Sequence, residues 1–202
     1  MKILFCDWNG TLLDDMPIWD KARRKTFLAF GVKPPTVADY FRELESGDYL
    51  EVYRKRGINA SRDELNAIYE PAYEERLADA VLFPGAAATL QQLHEKGIRL
   101  ILVTSQQEAL VVPLLNKFGI RHLFDDCAFH TFDKKAVITE VAQRNDATLN
   151  QCYFIGDSPS DIRHAKKAGA IAVAFIGIHI PEELMVSADH YIRSFDELIN
   201  LL

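Results

Sequence analysis

The chain has 202 residues, 49% of them hydrophobic, with 23 Lys+Arg against 29 Asp+Glu and a net charge of −6. That length supports one well-buried core with an appended subdomain, and an acidic balance without long blocks of one sign excludes polyanion binding as the main task. Cys6, Cys127 and Cys152 are scattered and odd in number, so they read as small hydrophobes of a reducing compartment and not as a disulfide framework.

The apolar start Met1-Lys2-Ile3-Leu4-Phe5-Cys6 is cut by Asp7 well short of a signal-peptide core, and no other run approaches membrane-spanning length. A soluble cytoplasmic protein with neither membrane nor nucleic-acid partners is expected. The first strand is predicted over Ile3 to Asp7 and delivers that acid to the turn Trp8-Asn9-Gly10-Thr11. Residues 15–80 then hold no strand-like run and carry Tyr, Phe and Leu at helical intervals among many charges. They read as an inserted helical cap, with turns at Gly31–Pro35 and Gly57–Ala60, a capping box at Ser61-Arg62-Asp63-Glu64, and a kink at Pro71.

From residue 81 onward strands and helices alternate. Helices are predicted over 85–96, 108–118 and 135–144, and a fourth starts at Ser158 and Pro159 and stops at Gly169. Strands are predicted at 101–104, 153–157 and 172–176, with a weaker one at 127–129. Such alternation implies an α/β fold, a doubly wound parallel sheet with right-handed crossovers, divided into a core of residues 1–14 and 81–202 and a cap of 15–80.

In an open parallel sheet, ligands bind beyond the carboxyl ends of the strands. Asp7, Thr104 and Asp157 close three of these strands and are expected to meet in one crevice. Two carboxylates with a hydroxyl suit Mg²⁺, which takes one or two protein carboxylates and leaves the rest of its shell to water and phosphate. A carboxylate also serves as nucleophile toward phosphorus, with hydroxyl, backbone N–H and lysine donors stabilising the developing charge.

Asp7-Trp8-Asn9-Gly10-Thr11, Thr104 after its strand, a lysine opening a helix, and Gly156-Asp157-Ser158-Pro159-Ser160-Asp161 together resemble the four motifs of the haloacid dehalogenase (HAD) superfamily. The likeness is to its phosphoglycolate-phosphatase-like branch, which carries a helical cap between the first two motifs on a Rossmann-like core. Phe83-Pro84-Gly85 and Ala165-Lys166-Lys167-Ala168-Gly169 are further stretches of that kind, so the resemblance spans nearly the whole chain. It implies a Mg²⁺-dependent phosphatase of small phosphorylated substrates, with Asp7 as nucleophile. Asp7, the backbone carbonyl of Asn9 and Asp157 would hold the metal; Gly10, Thr104, Ser105 and Lys134 would hold the phosphate; Asp161 would support the metal shell and the lysine. Lys134 is chosen over Lys135 because Val137, Ile138 and Val141 follow it by three, four and seven residues, with Lys135 as the alternative.

The sequence departs from the family at Asn9, where hydrolytic members usually carry an Asp that protonates the leaving oxygen and then activates water. Asn cannot exchange a proton in that way. Three readings stay open: a slow phosphatase, a catalytically weak or silent binding or regulatory relative, and an engineered substitution that traps an intermediate. Asn followed by Gly is also prone to deamidation, which would restore a carboxylate. Two other classes use similar parts. A receiver domain places its acceptor aspartate mid-chain, and a dehalogenase acting on carbon would lack the Asp157 and Asp161 pair.

Among remaining candidates, His130 and His179 lie near strand ends but read as surface histidines. Trp8 and Trp19 read as packing residues, and Arg54, Lys55 and Arg56 as a solvated helix face. Neither the oligomeric state nor the individual substrate is legible.

Overall fold

The computed structural model describes residues 1–44, 48–177 and 182–202; His179 lies outside them. Its main sheet contains β1 (Ile3–Cys6), β4 (Arg99–Val103), β5 (Asp126–Ala128), β6 (Cys152–Gly156), β7 (Ile171–Phe175) and β8 (His190–Ile192), in the order β5-β4-β1-β6-β7-β8. Every pairing in it is parallel. β1 is central, with Phe5 aligned to Ile101 on one side and Phe154 on the other. The first crossovers run outward from β1 through β4 to β5, and the chain then returns to β6 on the opposite side. The order therefore reverses at β1, and the mouth of this sheet lies beyond Cys6.

The period-two alternation of the strands sorts the helices onto the two faces. Leu4, Cys6, Leu100, Leu102 and Ile155 form one apolar cluster with Leu90 and Leu93 of α5 (Ala86–Glu95) and Val111 and Leu115 of α6 (Glu108–Lys117). Ile3, Phe5, Ile101, Val103 and Phe154 point the other way, onto Ile138 and Val141 of α7 (Lys134–Arg144) and Ile162 and Ala165 of α8 (Pro159–Ala168). A short α9 (Leu198–Leu201) packs against α5. The expected α/β class, a doubly wound parallel sheet, is what forms, and β8 is an additional edge strand.

Between β1 and β4 the chain forms α1 (Met16–Ala29), α2 (Val37–Glu43), α3 (Leu50–Lys55) and α4 (Arg62–Leu77). They share a third apolar cluster of Phe27, Tyr40, Leu50, Val52, Tyr53, Ile58 and Leu65. The Ser61–Glu64 capping box is present, and α4 continues through Pro71. On entry and exit the chain pairs with itself in a small antiparallel ribbon, β2 (Leu13–Asp14) with β3 (Val81–Leu82). Arg54 and Lys55 are exposed, and Arg56 pairs with Glu43, so this basic run lies away from the sheet mouth.

Candidate active site

The turn after β1 is held by its own backbone. The Trp8 carbonyl accepts N–H bonds from Leu12 (3.0 Å) and Leu13 (2.9 Å), and Gly10 N–H reaches Leu13 O at 2.9 Å. Gly10 has φ +73°, and a Cβ there would meet Asp157 Oδ2 at 2.2 Å. Only glycine satisfies both the left-handed backbone and the close approach of the β6 loop. At Gly156, one strand away, only the close approach applies: a Cβ there would lie 2.4 Å from that of Asp161.

Into this mouth project Asp7, Asp157, Asp161 and Lys134, all buried. Lys134 Nζ donates to Asp7 Oδ1 at 2.6 Å and to Asp161 Oδ1 at 2.7 Å. Asp161 also accepts from the N–H and hydroxyl of Ser158, the N-cap of α8, so helix start and lysine fix one carboxylate from two directions. Thr11 Oγ1 donates to Asp157 Oδ1 at 3.0 Å. Of the two adjacent lysines Lys134 reaches the carboxylates, while Lys135 is exposed.

Burial, opposed by Lys134 and reinforced by Asp161, pushes Asp7 up to about 7. Asp157 is raised well above the usual carboxylate range by burial and by its two acidic neighbours. Burial lowers Lys134, yet Asp161 and Asp7 outweigh it and hold the ammonium above its ordinary value. Three carboxyl groups face one ammonium here, so with all three ionised the buried crevice would carry an excess of two negative charges. Uncompensated buried charge is costly, and the donor set is all oxygen, with ligand atoms of Asp7, Asp157 and Asp161 within 4.8 Å of one another. Charge and chemistry both fit a hard divalent cation.

Other expected residues sit differently. Thr104 is fully buried at the end of β4, where its hydroxyl accepts Gln106 N–H at 3.0 Å; Ser105, next to it, lines the crevice. Gly10 N–H is already engaged, donating also to Asp15 Oδ1 at 2.9 Å. Asn9 lines the crevice, and its amide nitrogen donates to Asp15 Oδ2 (2.8 Å) and Tyr73 Oη (2.9 Å). Tyr73, on α4, donates in turn to Asp15 Oδ2 at 2.6 Å. Asp15 is thus a fourth buried carboxylate, raised by burial while Tyr73, Asn9 and the Gly10 N–H pull it back.

Asp15 and Tyr73 are the neighbours of this site that sequence reasoning missed. The doubled acid Asp14-Asp15 directly after the apolar Leu12-Leu13 was the available signal. Trp8 packs in the core as read, whereas Trp19 lines the crevice and the cavity beside it. His130 is exposed, holds φ +51°, and lines that neighbouring cavity.

Comparison with known proteins agrees with this geometry. Phosphoglycolate phosphatase of Pseudomonas fluorescens is 29% identical over 186 residues, covering 86% of this chain and 68% of that protein. The Vibrio cholerae enzyme of the same name is 28% identical over 191 residues, covering 84% and 81%. Among solved structures, a haloacid dehalogenase-like family hydrolase from Streptococcus pneumoniae superposes with a TM-score of 0.80 at 21% identity, over 100% of this chain and 98% of that one. A predicted phosphoglycolate phosphatase from Haemophilus somnus gives 0.77 at 20%, over 100% and 97%. The family model described as haloacid dehalogenase-like hydrolase matches residues 3–175, which include the Asp7 turn, Lys134 and the Asp157–Asp161 loop, and the chain belongs to that family.

Proposed function

We propose that the chain is a Mg²⁺-dependent phosphatase of small phosphate monoesters that works through an aspartyl-phosphate on Asp7 and is slowed by Asn9. The observation that carries this reading is Lys134 bridging Asp7 and Asp161 beside Asp157 at the point where the strand order reverses. The names of its relatives support the same reaction class. Asp7, Asp157 and the backbone carbonyl of Asn9 would hold Mg²⁺, with Asp161 in support. When bound, the ion would balance the carboxylate excess and polarise the phosphoryl oxygens.

Asp7 attacks phosphorus, forming an acyl-phosphate bond as the bond to the leaving alcohol breaks. Lys134 holds the nucleophile in place and favours its ionised form against burial, and with Ser105 and Thr104 provides donors toward the phosphoryl group. Asn9 has no proton to exchange, so the leaving oxygen takes its proton from water. Water then attacks phosphorus, phosphate leaves, and Asp7 is restored. A group that moves the proton in such steps is worth roughly 10²–10⁴ in rate. Residues 15–80 act as the cap that selects the ester. Unpaired, buried Cys6 and Cys152 support a cytoplasmic setting, and no helix among the described residues is long and apolar enough to cross a membrane.

A panel of phosphate esters assayed with Mg²⁺ and with chelator tests this. Hydrolysis should require the metal and vanish in Asp7→Ala, and Asn9→Asp should raise kcat. Because Asp15 Oδ2 stands 2.8 Å from Asn9 Nδ2, the new acid would abut a carboxylate, and the full gain is expected when Asp15→Asn accompanies it. No gain from either protein, both folded, would remove Asn9 from the acid-base position. A second reading, a silent phosphate-binding relative, is favoured by the amide of Asn9 being tied to Asp15 and Tyr73. Tight phosphate binding without turnover in any variant would select it.

A further inference from the structure

We infer that the alcohol half of the substrate carries a flat aromatic ring of about nucleoside size; this rests on the phosphatase reading and goes past it. A chamber of about 310 Å³ opens beside the catalytic crevice and shares Asn9, Asp15, Trp19 and Ser105 with it, so it is the adjoining space available to the alcohol half of an ester whose phosphate sits at Asp7. The volume lies at the lower end of the ~300–1,000 Å³ typical of pockets for organic ligands. A two-carbon acid, with only a methylene and a carboxylate beyond its phosphate, would leave most of it filled with water.

The walls say what does fill it. Trp19, Tyr40, Tyr49, Tyr53, Tyr69 and Phe132 line the chamber. Several are locked in ring contacts: Trp19 stacks on Phe41 at 5.5 Å and meets Tyr40 edge-on at 5.1 Å, and Tyr69 stacks on Tyr73 at 5.6 Å. Rigid aromatic faces around a cavity favour a planar guest, because stacking on them sacrifices little side-chain freedom.

Polar groups are interspersed at positions suited to the edge of a heterocycle. Arg62 lies over the rings of Tyr49 (4.7 Å) and Phe132 (5.5 Å) while paired with Asp48. Arg23, buried, lies 5.0 Å from the Trp19 ring and 5.1 Å from Tyr40; its Nε and Nη2 are held by Asp20 and the Pro35 carbonyl. Its Nη1 has no hydrogen-bond partner among the described residues. With Asn66 and Gln106, also in the lining, these donors match ring nitrogens or carbonyl oxygens. A lone carboxylate could meet an arginine as well, but it would leave most of the chamber's apolar lining against water.

The test compares hydrolysis of a purine and a pyrimidine nucleoside 5′-monophosphate and phenyl phosphate with that of glycerol 3-phosphate and 2-phosphoglycolate. At least one aromatic ester should exceed both aliphatic ones in kcat/KM by about tenfold or more, and the three aromatic arms separate a bare ring from a base with its sugar. Phe132 is 52% exposed, so Phe132→Ala should fold, and it should shrink that preference about fivefold. Calorimetric Kd values for the same esters on Asp7→Ala protein in Mg²⁺ should show the same order. Equal or better handling of the aliphatic esters in both assays overturns the inference and leaves the phosphatase reading intact. Tighter binding of the aromatic esters with no ester hydrolysed by the parent protein supports the chamber and overturns the phosphatase reading.

Discussion

The crevice at Asp7 and the chamber next to it are neighbours built by opposite means. In the crevice single polar groups arrive from separate strand and helix ends and are bonded to one another, as Lys134 is to Asp7 and Asp161, and Thr11 to Asp157. In the chamber, rings from the helices of residues 16–77 and from the loop after β5 present mainly apolar faces, with few polar bonds between them. One region is fixed by charge and backbone geometry and leaves no freedom for substitution. The other is fixed by packing, which tolerates exchange among residues of similar volume. On the proposed reading, reaction and selection are therefore written in separable parts of the chain.

The sharpest way to break that division is Lys134→Ala, which leaves buried carboxylates facing one another without their cation. Losing one partner of such a network destabilises by about 3–5 kcal/mol, and turnover should disappear with it. Lys135→Ala, on an exposed side chain, should change neither melting temperature nor kcat. Next comes Gly10→Ala: the 2.2 Å approach to Asp157 and the φ of +73° together should remove about 2 kcal/mol or more, read as a lowered denaturation midpoint.

A smaller effect separates the crevice from the chamber by titration in the absence of metal. An acid whose pKa is higher folded than unfolded binds more protons when folded, so folding stability falls as pH rises from roughly 4, its unfolded value, through the value of about 7 held by Asp7. Metal-free protein should accordingly melt at a lower temperature at pH 8 than at pH 5.5, with Mg²⁺ reversing the loss at pH 8. Calorimetry at the two pH values checks it, and an unchanged melting temperature would mean that the carboxylates are not crowded. The smallest change expected is Tyr73→Phe. It removes two hydrogen bonds, the one donated to Asp15 and the one accepted from Asn9, and costs about 1–2 kcal/mol, and it should lower kcat more than it raises KM if the link from α4 positions Asn9.

The sequence made the crevice far more legible than the chamber, for a physical reason. β1, β4, β6 and β7 are buried on both faces, so they show as apolar runs, and a polar residue closing such a run stands out. Lys134 was found in the same way, through the apolar spacing that follows it. Asp15 did not stand out: it sits beside Asp14 and its partner Tyr73 is 58 residues away, a distance that no local pattern bridges. Trp19 and the chamber tyrosines recur at helical intervals, the pattern that core packing also produces, so periodicity could not tell a wall from a core. β8 escaped because it is an edge strand of three residues in which only Ile192 is buried. Thr104 was placed correctly at its strand end, but the hydrogen bond that turns its hydroxyl to Gln106 depends on the loop beyond it.

The ribbon of β2 and β3 carries one more consequence. Leu13 lies opposite Leu82 and Asp14 opposite Val81, and Phe83 N–H closes onto Leu12 O at 3.0 Å, so the outgoing and returning chain form a zipped neck. Topologically, everything beyond that neck is one oversized hairpin loop. The entropy of closing such a loop grows only with the logarithm of its length, which makes the parallel sheet nearly indifferent to how much polypeptide hangs there. On the proposed reading, a different helical module grafted at these two adjacent points would alter what the protein admits, provided it replaces the contacts that Ala22, Ala72, Tyr73 and Leu77 make with the sheet's own apolar cluster.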